Sequence, residues 1–191
     1  MLYLCGISIT CAATVLGVAP STVQAWLAWV ATAHPPKVLP KGAVVAVELD
    51  EMWHYLNSKE QKLWIWKAIN PETGEPIDWE CGDRSVETAK RLIERLQKTG
   101  ARLYITDEYA VYATLIPIGK LYQGKDKTHG IERNNGRQRH WFARFRRKSI
   151  VISRAKWMVD VTMALFARFR VNGYLEEIMQ LASNFRPSLV A

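Results

Sequence analysis

The order of apolar segments between residues 43 and 146 constrains the fold more than any other feature of the sequence. Three strand-like segments come first, and a polar turn at 70–74 joins the second to the third. Helices and strands then alternate. Strands are predicted over residues 44–49, 63–69, 76–82, 102–106 and 120–123, and helices over 85–98, 108–115 and 128–146. This order predicts an α/β domain built on a mixed five-stranded sheet.

The first part of the chain has the spacing of a small helical motif. Residues 9–30 predict two short helices separated by Gly17. In a helix-turn-helix, a small residue allows close crossing, a glycine allows the turn, and an apolar residue pins the second helix; Ala13, Gly17 and Val23 have that spacing. The residues then predicted to face a DNA groove are Ser21, Thr22 and Gln24. An ordinary helical hairpin is the alternative, because the second helix carries no Lys or Arg.

Prolines divide the chain into domains. Pro35, Pro36 and Pro40 cannot continue a helix, so residues 35–42 predict a stiff linker. A helix-turn-helix segment over 1–34 would precede the linker, and a second domain over 43–150 would follow it. Residues 151–191 are predicted as a helical extension, with an amphipathic helix over 153–169.

The charge balance favours a polyanionic partner. The chain has 26 Lys and Arg against 18 Asp and Glu, a formal net charge of +8, and nucleic acid is the first candidate partner. Solubility tails and contact with anionic lipid remain alternatives for such an excess. The three cysteines form no closely spaced pair, which favours a reducing cytoplasm. No stretch has the length of uninterrupted apolar residues that a membrane span needs, so we expect no membrane partner.

Three acids lie at the ends of predicted strands or near the start of a predicted helix, so they could form one site. Asp50 ends the first strand, Asp107 ends the fourth, and Glu132 lies in the first turns of the next helix. Strand ends in a mixed sheet open a crevice where functional side chains gather. Mg²⁺ takes oxygen ligands, and two such ions about 4 Å apart serve phosphodiester chemistry. We expect Asp50 to bridge both ions, with Asp107 on one and Glu132 on the other.

Other acids in the chain weaken the argument from spacing alone, because most acids in a protein merely solvate its surface. This set comprises Glu51, Asp83, Glu87, Glu94 and Glu108.

The densest basic run follows Glu132. Side chains on the helix bearing Glu132 and just beyond it would neutralise phosphates and hold a DNA strand near the metals. The predicted DNA contacts are Arg133, Asn135, Arg137, Arg139, Arg144, Arg147 and Lys148. We expect Asn135 to steady the carboxylate of Glu132 or a phosphate through its amide. A solvated surface whose aromatic residues pack inward is the alternative.

The order of residues around Asp50, Asp107 and Glu132, as well as the positions of these acids, supports one shared site. Residues 45–55 read Val-Ala-Val-Glu-Leu-Asp-Glu-Met-Trp-His-Tyr, residues 61–64 read Gln-Lys-Leu-Trp, and residues 104–112 read Tyr-Ile-Thr-Asp-Glu-Tyr-Ala-Val-Tyr. The most specific stretch, Thr-His-Gly-Ile-Glu-Arg-Asn-Asn, spans 128–135, and Gly-Asp-Arg-Ser at 82–85 is a smaller match. Asp107 and Glu132 are separated by 24 residues. In these stretches the sequence resembles the transposases of the insertion-sequence-one family, which move small bacterial insertion elements.

The resemblance implies a fold, a chemistry and a partner. It implies an RNase H-like, retroviral integrase-like catalytic domain in which Asp50, Asp107 and Glu132 bind Mg²⁺, with Mn²⁺ able to substitute. It also implies transposon terminal repeats and target DNA as substrates, with no small-molecule substrate. Because transposition holds two ends together, we expect a homo-oligomer. One departure stands out: such proteins usually begin with a cysteine-rich zinc module, and Cys5 and Cys11 lack that spacing.

Two other functions stay open at this point. The chain could be a DNA-binding repressor that uses its helix-turn-helix and carries an inactive catalytic relic. It could also be a plain RNase H-like nuclease, which would keep the metals but not join strands.

Overall fold

A mixed five-stranded sheet forms the centre of the computed structural model, which describes residues 2–33, 45–124, 126, 128–146 and 148–171. The strands are β1 (Ala46–Tyr55), β2 (Lys62–Ile69), β3 (Pro76–Gly82), β4 (Leu103–Thr106) and β5 (Leu121–Gln123). The helices are α1 (Ile9–Leu16), α2 (Pro20–Ala33), α3 (Val86–Gln97), α4 (Ala110–Leu115), α5 (His129–Trp141) and α6 (Lys156–Phe166). The predicted order of elements is confirmed.

The strand order in the sheet is β3-β2-β1-β4-β5. Strands β1, β2 and β3 form an antiparallel meander, because short turns join them. Strands β4 and β5 run parallel to β1, because α3 and α4 carry the chain back across the sheet before each of them. This arrangement confirms the predicted mixed five-stranded sheet and agrees with the RNase H-like fold that the resemblance implies. It places β1 at the centre, between β2 and β4.

Two apolar cores lie on opposite faces of the sheet. On one face, Val47 and Leu49 of β1 pack with Leu92 of α3 and Tyr112 of α4. On the other face, Met52 of β1 packs with residues of α6 and of the segment after α5. Side chains along β1 therefore alternate between the two cores.

Strand β1 is longer than predicted. The prediction ended the strand at residue 49 and put Asp50 beyond it, but β1 continues to Tyr55 and Asp50 lies inside it. The strand continues because Asp50 pairs with Lys67 in β2 and the pairing runs on to Tyr55 opposite Lys62. The prediction that this acid ends the strand is wrong.

The segment after Glu132 also differs from the prediction. The helix predicted over 128–146 ends at Trp141, where Phe142 adopts an extended backbone and a single 3-10 turn follows at Ala143–Phe145. Burial of Phe142 and Phe145 in the second core accounts for this break. The helix predicted over 153–169 begins later, at Lys156, and ends in a π-helical turn at Ala167–Val171.

The two N-terminal helices form as predicted and pack on the sheet domain. The Ser8 side chain caps α1, and Gly17 ends it in the left-handed conformation with φ 65°. The Tyr3 hydroxyl and the Thr162 hydroxyl of α6 form a hydrogen bond of 2.6 Å. Within the described residues, no single helix has the length and composition of a membrane span; α1 and α2 pass that test only as a pair bent by 108°. The predicted linker over 35–42 lies outside the described residues.

Candidate active site

Asp50 and Asp107 come together where the parallel strands β1 and β4 are neighbours. The pairing register joins Glu48 to Ile105, and the same register carried two residues further brings Asp50 level with Asp107. Because side chains alternate along a strand, Asp50 points to the face of the sheet that α5 covers. Burial raises the pKa of Asp50, and the nearby Asp107 carboxylate adds to that rise. The two acids are therefore close enough to share one electrostatic environment.

The turn after β4 fixes Asp107. The backbone N–H of Tyr109 donates to Asp107 Oδ1 at 3.0 Å. The Thr106 hydroxyl donates to the Asp107 carbonyl at 2.7 Å, and Gln123 Nε2 donates to the same carbonyl at 3.3 Å. An aspartate that accepts a hydrogen bond from the backbone two residues on stabilises a tight turn. Asp107 thus lies just beyond the end of its strand, as the sequence predicted.

Helix α5 carries Glu132 to the edge of this site. Asn135 Nδ2 donates to Asp50 Oδ2 at 2.8 Å. Glu132 lies three residues before Asn135, so the two side chains are neighbours on the helix surface, about one turn apart. The Glu132 side chain is 69% exposed, and its Oε2 lies 4.0 Å from His129 Nδ1. The helix is therefore bound at Asp50 while Glu132 points into solvent one turn away.

The three acids do not form a closed metal site in this arrangement. Within the part of the chain that the structure describes, no group of three or more His, Cys, Asp or Glu side chains is placed to hold a metal ion. The donor set nevertheless fits a hard divalent cation, since it consists of carboxylate oxygens. Asn135 Oδ1, beside Asp50, is buried and has no hydrogen-bond partner among the residues that the structure describes. A cation bound there would satisfy that amide oxygen.

Lys67 belongs to the site, although no prediction from the sequence named it. It lies directly opposite Asp50 in the β1–β2 pairing and is 2% exposed. Its Nζ donates to Asn134 Oδ1 at 2.8 Å and to Gln138 Oε1 at 3.1 Å, both on α5. Burial lowers the pKa of Lys67 to about 7, although the Asp50 carboxylate acts in the opposite direction. A lysine inside the apolar run of β2 was the signal that would have revealed it.

Glu51 lies on the opposite face of β1 from Asp50 and is not one of the solvated acids. Its side chain is 2% exposed. Arg84 donates to Glu51 Oε2 through Nη2 at 3.0 Å and through Nε at 3.2 Å, and the Tyr112 hydroxyl donates to Oε1. Burial raises the pKa of Glu51, and these hydrogen bonds act against that rise. The residue next to Asp50 therefore anchors the central strand.

The Arg84 guanidinium extends this anchor to the Asp107 turn. It lies 4.1 Å from the centre of the Tyr109 ring and 4.6 Å from that of Trp64, between two aromatic faces. The Tyr109 hydroxyl also donates to the Arg84 carbonyl at 3.2 Å. Because the Tyr109 backbone binds Asp107, the stack braces the turn that holds the second acid. The Gly-Asp-Arg-Ser stretch at 82–85 thus has a structural role beside the site.

The predicted DNA contacts after Glu132 divide by burial. Arg133, Arg137 and Lys148 are exposed, and Arg139 is half-buried. Arg144 is 8% exposed; its Nη1 donates to the Met158 carbonyl and its guanidinium faces the Tyr3 ring. Asn135 is 5% exposed and binds Asp50 rather than Glu132. Burial therefore removes Arg144 and Asn135 from the predicted DNA surface, and Arg147 lies outside the described residues.

The predicted DNA-facing residues of α2 lie at its start. Ser21 is exposed, and Thr22 and Gln24 are half-buried. Gln24 also lines a cavity of about 1000 Å³ between the N-terminal helices and residues 142–158. The exposed surface of α2 continues through Trp26 and Trp29 and carries no charge. A DNA contact by these residues stays a prediction.

Known proteins share sequence with this chain over the sheet domain and the helices packed on it. A family model for the IS1 transposase matches residues 43–172. The insertion element iso-IS1n protein InsB of Shigella dysenteriae is 35% identical over 108 residues, which cover 56% of this chain and 82% of that protein. The insertion element IS1 protein InsB of Shigella sonnei is 30% identical over 118 residues, which cover 61% of this chain and 89% of that protein.

A solved structure of the catalytic core domain of BIV integrase aligns with a TM-score of 0.47 at 12% identity, over 72% of this chain and 98% of that one.

The matched stretch of the family model begins before β1, ends after α6, and includes Asp50, Asp107 and Glu132. On the extent of that match, the chain belongs to the IS1 transposase family.

Proposed function

We propose that this chain is a DDE transposase that cleaves DNA at the ends of a small insertion sequence and joins them to target DNA. Asp50, Asp107 and Glu132 are its proposed metal ligands. The observation that carries the proposal is the meeting of Asp50 and Asp107 on neighbouring parallel strands, with the helix that bears Glu132 hydrogen-bonded to Asp50 through Asn135. In a chain of this family, carboxylates so placed suit phosphodiester chemistry.

The residues of the site have separable tasks in this chemistry. When bound, two Mg²⁺ ions would activate the attacking oxygen and stabilise the departing one. Asp50, at the centre of the sheet, supplies oxygens that Asn135 orients. Asp107 is held in its turn by the Tyr109 amide. Glu132 is exposed, and its side chain would have to turn inward to complete the set. The same site serves two phosphoryl transfers, with water and then the freed 3′-hydroxyl as the nucleophile.

DNA would reach this site along the exposed basic face of α5 and the segment after it. Arg133 and Arg137 are one turn apart and exposed, and Lys148 follows beyond the helix. Cations in such a row neutralise phosphates, so binding weakens as salt rises. We further propose that α2 takes part in recognising the terminal repeats. Two DNA ends must be held together, so we propose that the active form is a homo-oligomer acting in the bacterial cytoplasm.

Cleavage and joining assays test the proposal against both alternatives. The full chain is incubated with duplexes carrying candidate terminal repeats and Mg²⁺ or Mn²⁺, beside Asp50→Asn and Glu132→Gln. The matched control is Glu108→Gln, an exposed acid next to Asp107 that no role is assigned to. We expect both site variants to keep binding and lose cleavage and joining, while the control keeps all three.

The other outcomes of these assays indicate a different function for the chain. Binding without cleavage by the wild-type chain indicates a repressor. Cleavage without joining indicates a plain nuclease. Retention of cleavage in Asp50→Asn or Glu132→Gln contradicts the assignment of the triad.

A further inference from the structure

Helix α5 is attached to the sheet mainly by polar groups. Its inward residues are Ile131, Asn134, Asn135 and Gln138, of which three are amides. Apolar packing therefore contributes little to the position of the helix on the sheet. Its position depends on hydrogen bonds, which are directional and short.

Glu48 forms the attachment at the start of the helix. Its side chain lies on the same face of β1 as Asp50 and is almost fully buried, with the residue 1% exposed. Glu48 Oε1 accepts the backbone N–H of Ile131 at 2.9 Å, and the neighbouring backbone N–H of Gly130 favours the charged form of this carboxylate. Glu48 therefore caps the start of the helix and also meets the positive end of the helix dipole.

Gly130 makes this attachment possible. A Cβ at that position would lie 2.5 Å from Glu48 Oε2 and 3.3 Å from Ile69 Cδ1. Any larger residue would displace the Glu48 carboxylate or the first turn of α5, and either movement would break the contact. The glycine and the buried acid are thus two halves of one contact between chain segments 82 residues apart.

This contact lies between the acids of the site. Glu48 precedes Asp50 by two residues on β1, and Ile131 immediately precedes Glu132 on α5. We propose that Glu48 is a positioning residue, which sets where Glu132 stands relative to Asp50 by holding the first turn of α5. This inference rests on the proposed function, because it assigns Glu48 a task in assembling the same metal site.

The experiment measures helix attachment and metal binding separately in the full chain. The variants are Glu48→Ala, Glu48→Gln and Gly130→Ala, and the control is Glu87→Ala, an exposed acid in the first turn of α3. Hydrogen exchange of the amides of residues 130–132 reports the attachment. Titration calorimetry with Mn²⁺ alone reports metal affinity, and cleavage of end DNA gives kcat and KM.

We expect Glu48→Ala to speed exchange in the first turn of α5 and to weaken Mn²⁺ binding about tenfold, the usual effect of losing a residue that orients a ligand. The kcat should fall at least as far, while KM for DNA stays within about twofold, because no cation of the basic face is substituted. Glu48→Gln should recover part of both losses, since its Oε1 still accepts one N–H. Gly130→Ala should resemble Glu48→Ala, and the double variant should lose no more, because both changes break one contact.

The outcomes separate this inference from the proposed function. Wild-type exchange and Mn²⁺ affinity in Glu48→Ala would overturn the inference. So would uniform loss of protection across the whole domain without rescue by Gln, which indicates a general packing role. Failure of the wild-type chain to bind Mn²⁺ would refute the proposed function instead, and with it the task assigned to Glu48, even if exchange shows that Glu48 holds the helix.

Discussion

His54 should make the protein less stable in mild acid. The residue is 4% exposed, its Nε2 pairs with Ser153 Oγ at 2.8 Å, and its ring meets Phe145 edge-on. Burial, assisted by the positive charge of Arg144, lowers the pKa of His54 from 6.5 to about 4. In mild acid, His54 is therefore protonated more readily in the unfolded chain than in the folded protein.

The direction and size of the effect follow from this difference. Because the pKa of His54 is lower in the folded state, the unfolded chain binds more protons between pH 6.5 and 4. The contribution of His54 to stability is complete above about pH 6.5 and is lost as pH falls toward 4. The whole gap corresponds to about 3 kcal/mol, of which about 2 kcal/mol is lost between pH 7 and pH 5.

Urea unfolding at pH 7 and pH 5 checks this value. The wild-type free energy of unfolding should fall by about 2 kcal/mol more than that of His54→Gln, which keeps a polar partner for Ser153 but does not titrate. His140→Gln removes an exposed histidine and should keep the wild-type pH dependence. Equal losses in wild type and His54→Gln would refute the reasoning.

Three further changes test other parts of the structure. Arg84→Met leaves the buried Glu51 carboxylate without its cation and should lower the free energy of unfolding by about 3 kcal/mol in thermal or urea melts. Gly82→Ala places a Cβ 2.7 Å from the Thr88 side chain and should cost about 1–3 kcal/mol, and this cost should largely vanish when Gly82→Ala is made in a Thr88→Ala background. Arg137→Gln should weaken binding to all DNA sequences alike and reduce the slope of log affinity against log salt by about 1 in titrations.

Each of these predictions has an outcome that contradicts it. Glu51→Gln should cost less than Arg84→Met, about 1 kcal/mol, because Arg84 is 41% exposed in its side chain and can turn into water. If Glu51→Gln lowered the free energy of unfolding more than Arg84→Met, the loss would come from an unpaired Arg84 cation and not from an unpaired buried acid. Persistence of the Gly82→Ala loss beside Thr88→Ala would place the clash elsewhere. Loss of salt dependence in Lys90→Gln, on the exposed side of α3, would show that DNA does not follow α5.

The sequence by itself determined the elements and the family. Alternating apolar residues marked the strands, Ser85 marked the start of α3, and Gly17 marked the end of α1, because each signal acts within a few residues of chain. The stretches around Asp50, Asp107 and Glu132 indicated the transposase family through their residue order alone.

Only the tertiary structure decided which charges are buried and what holds them. Asp50 lies inside β1 rather than at its end because Lys67 pairs opposite it. Glu48 meets an amide 83 residues away, and Lys67 meets Asn134 at a separation of 67 residues. A charged residue is solvated or buried according to partners that distant segments bring to it, and no local pattern records those partners.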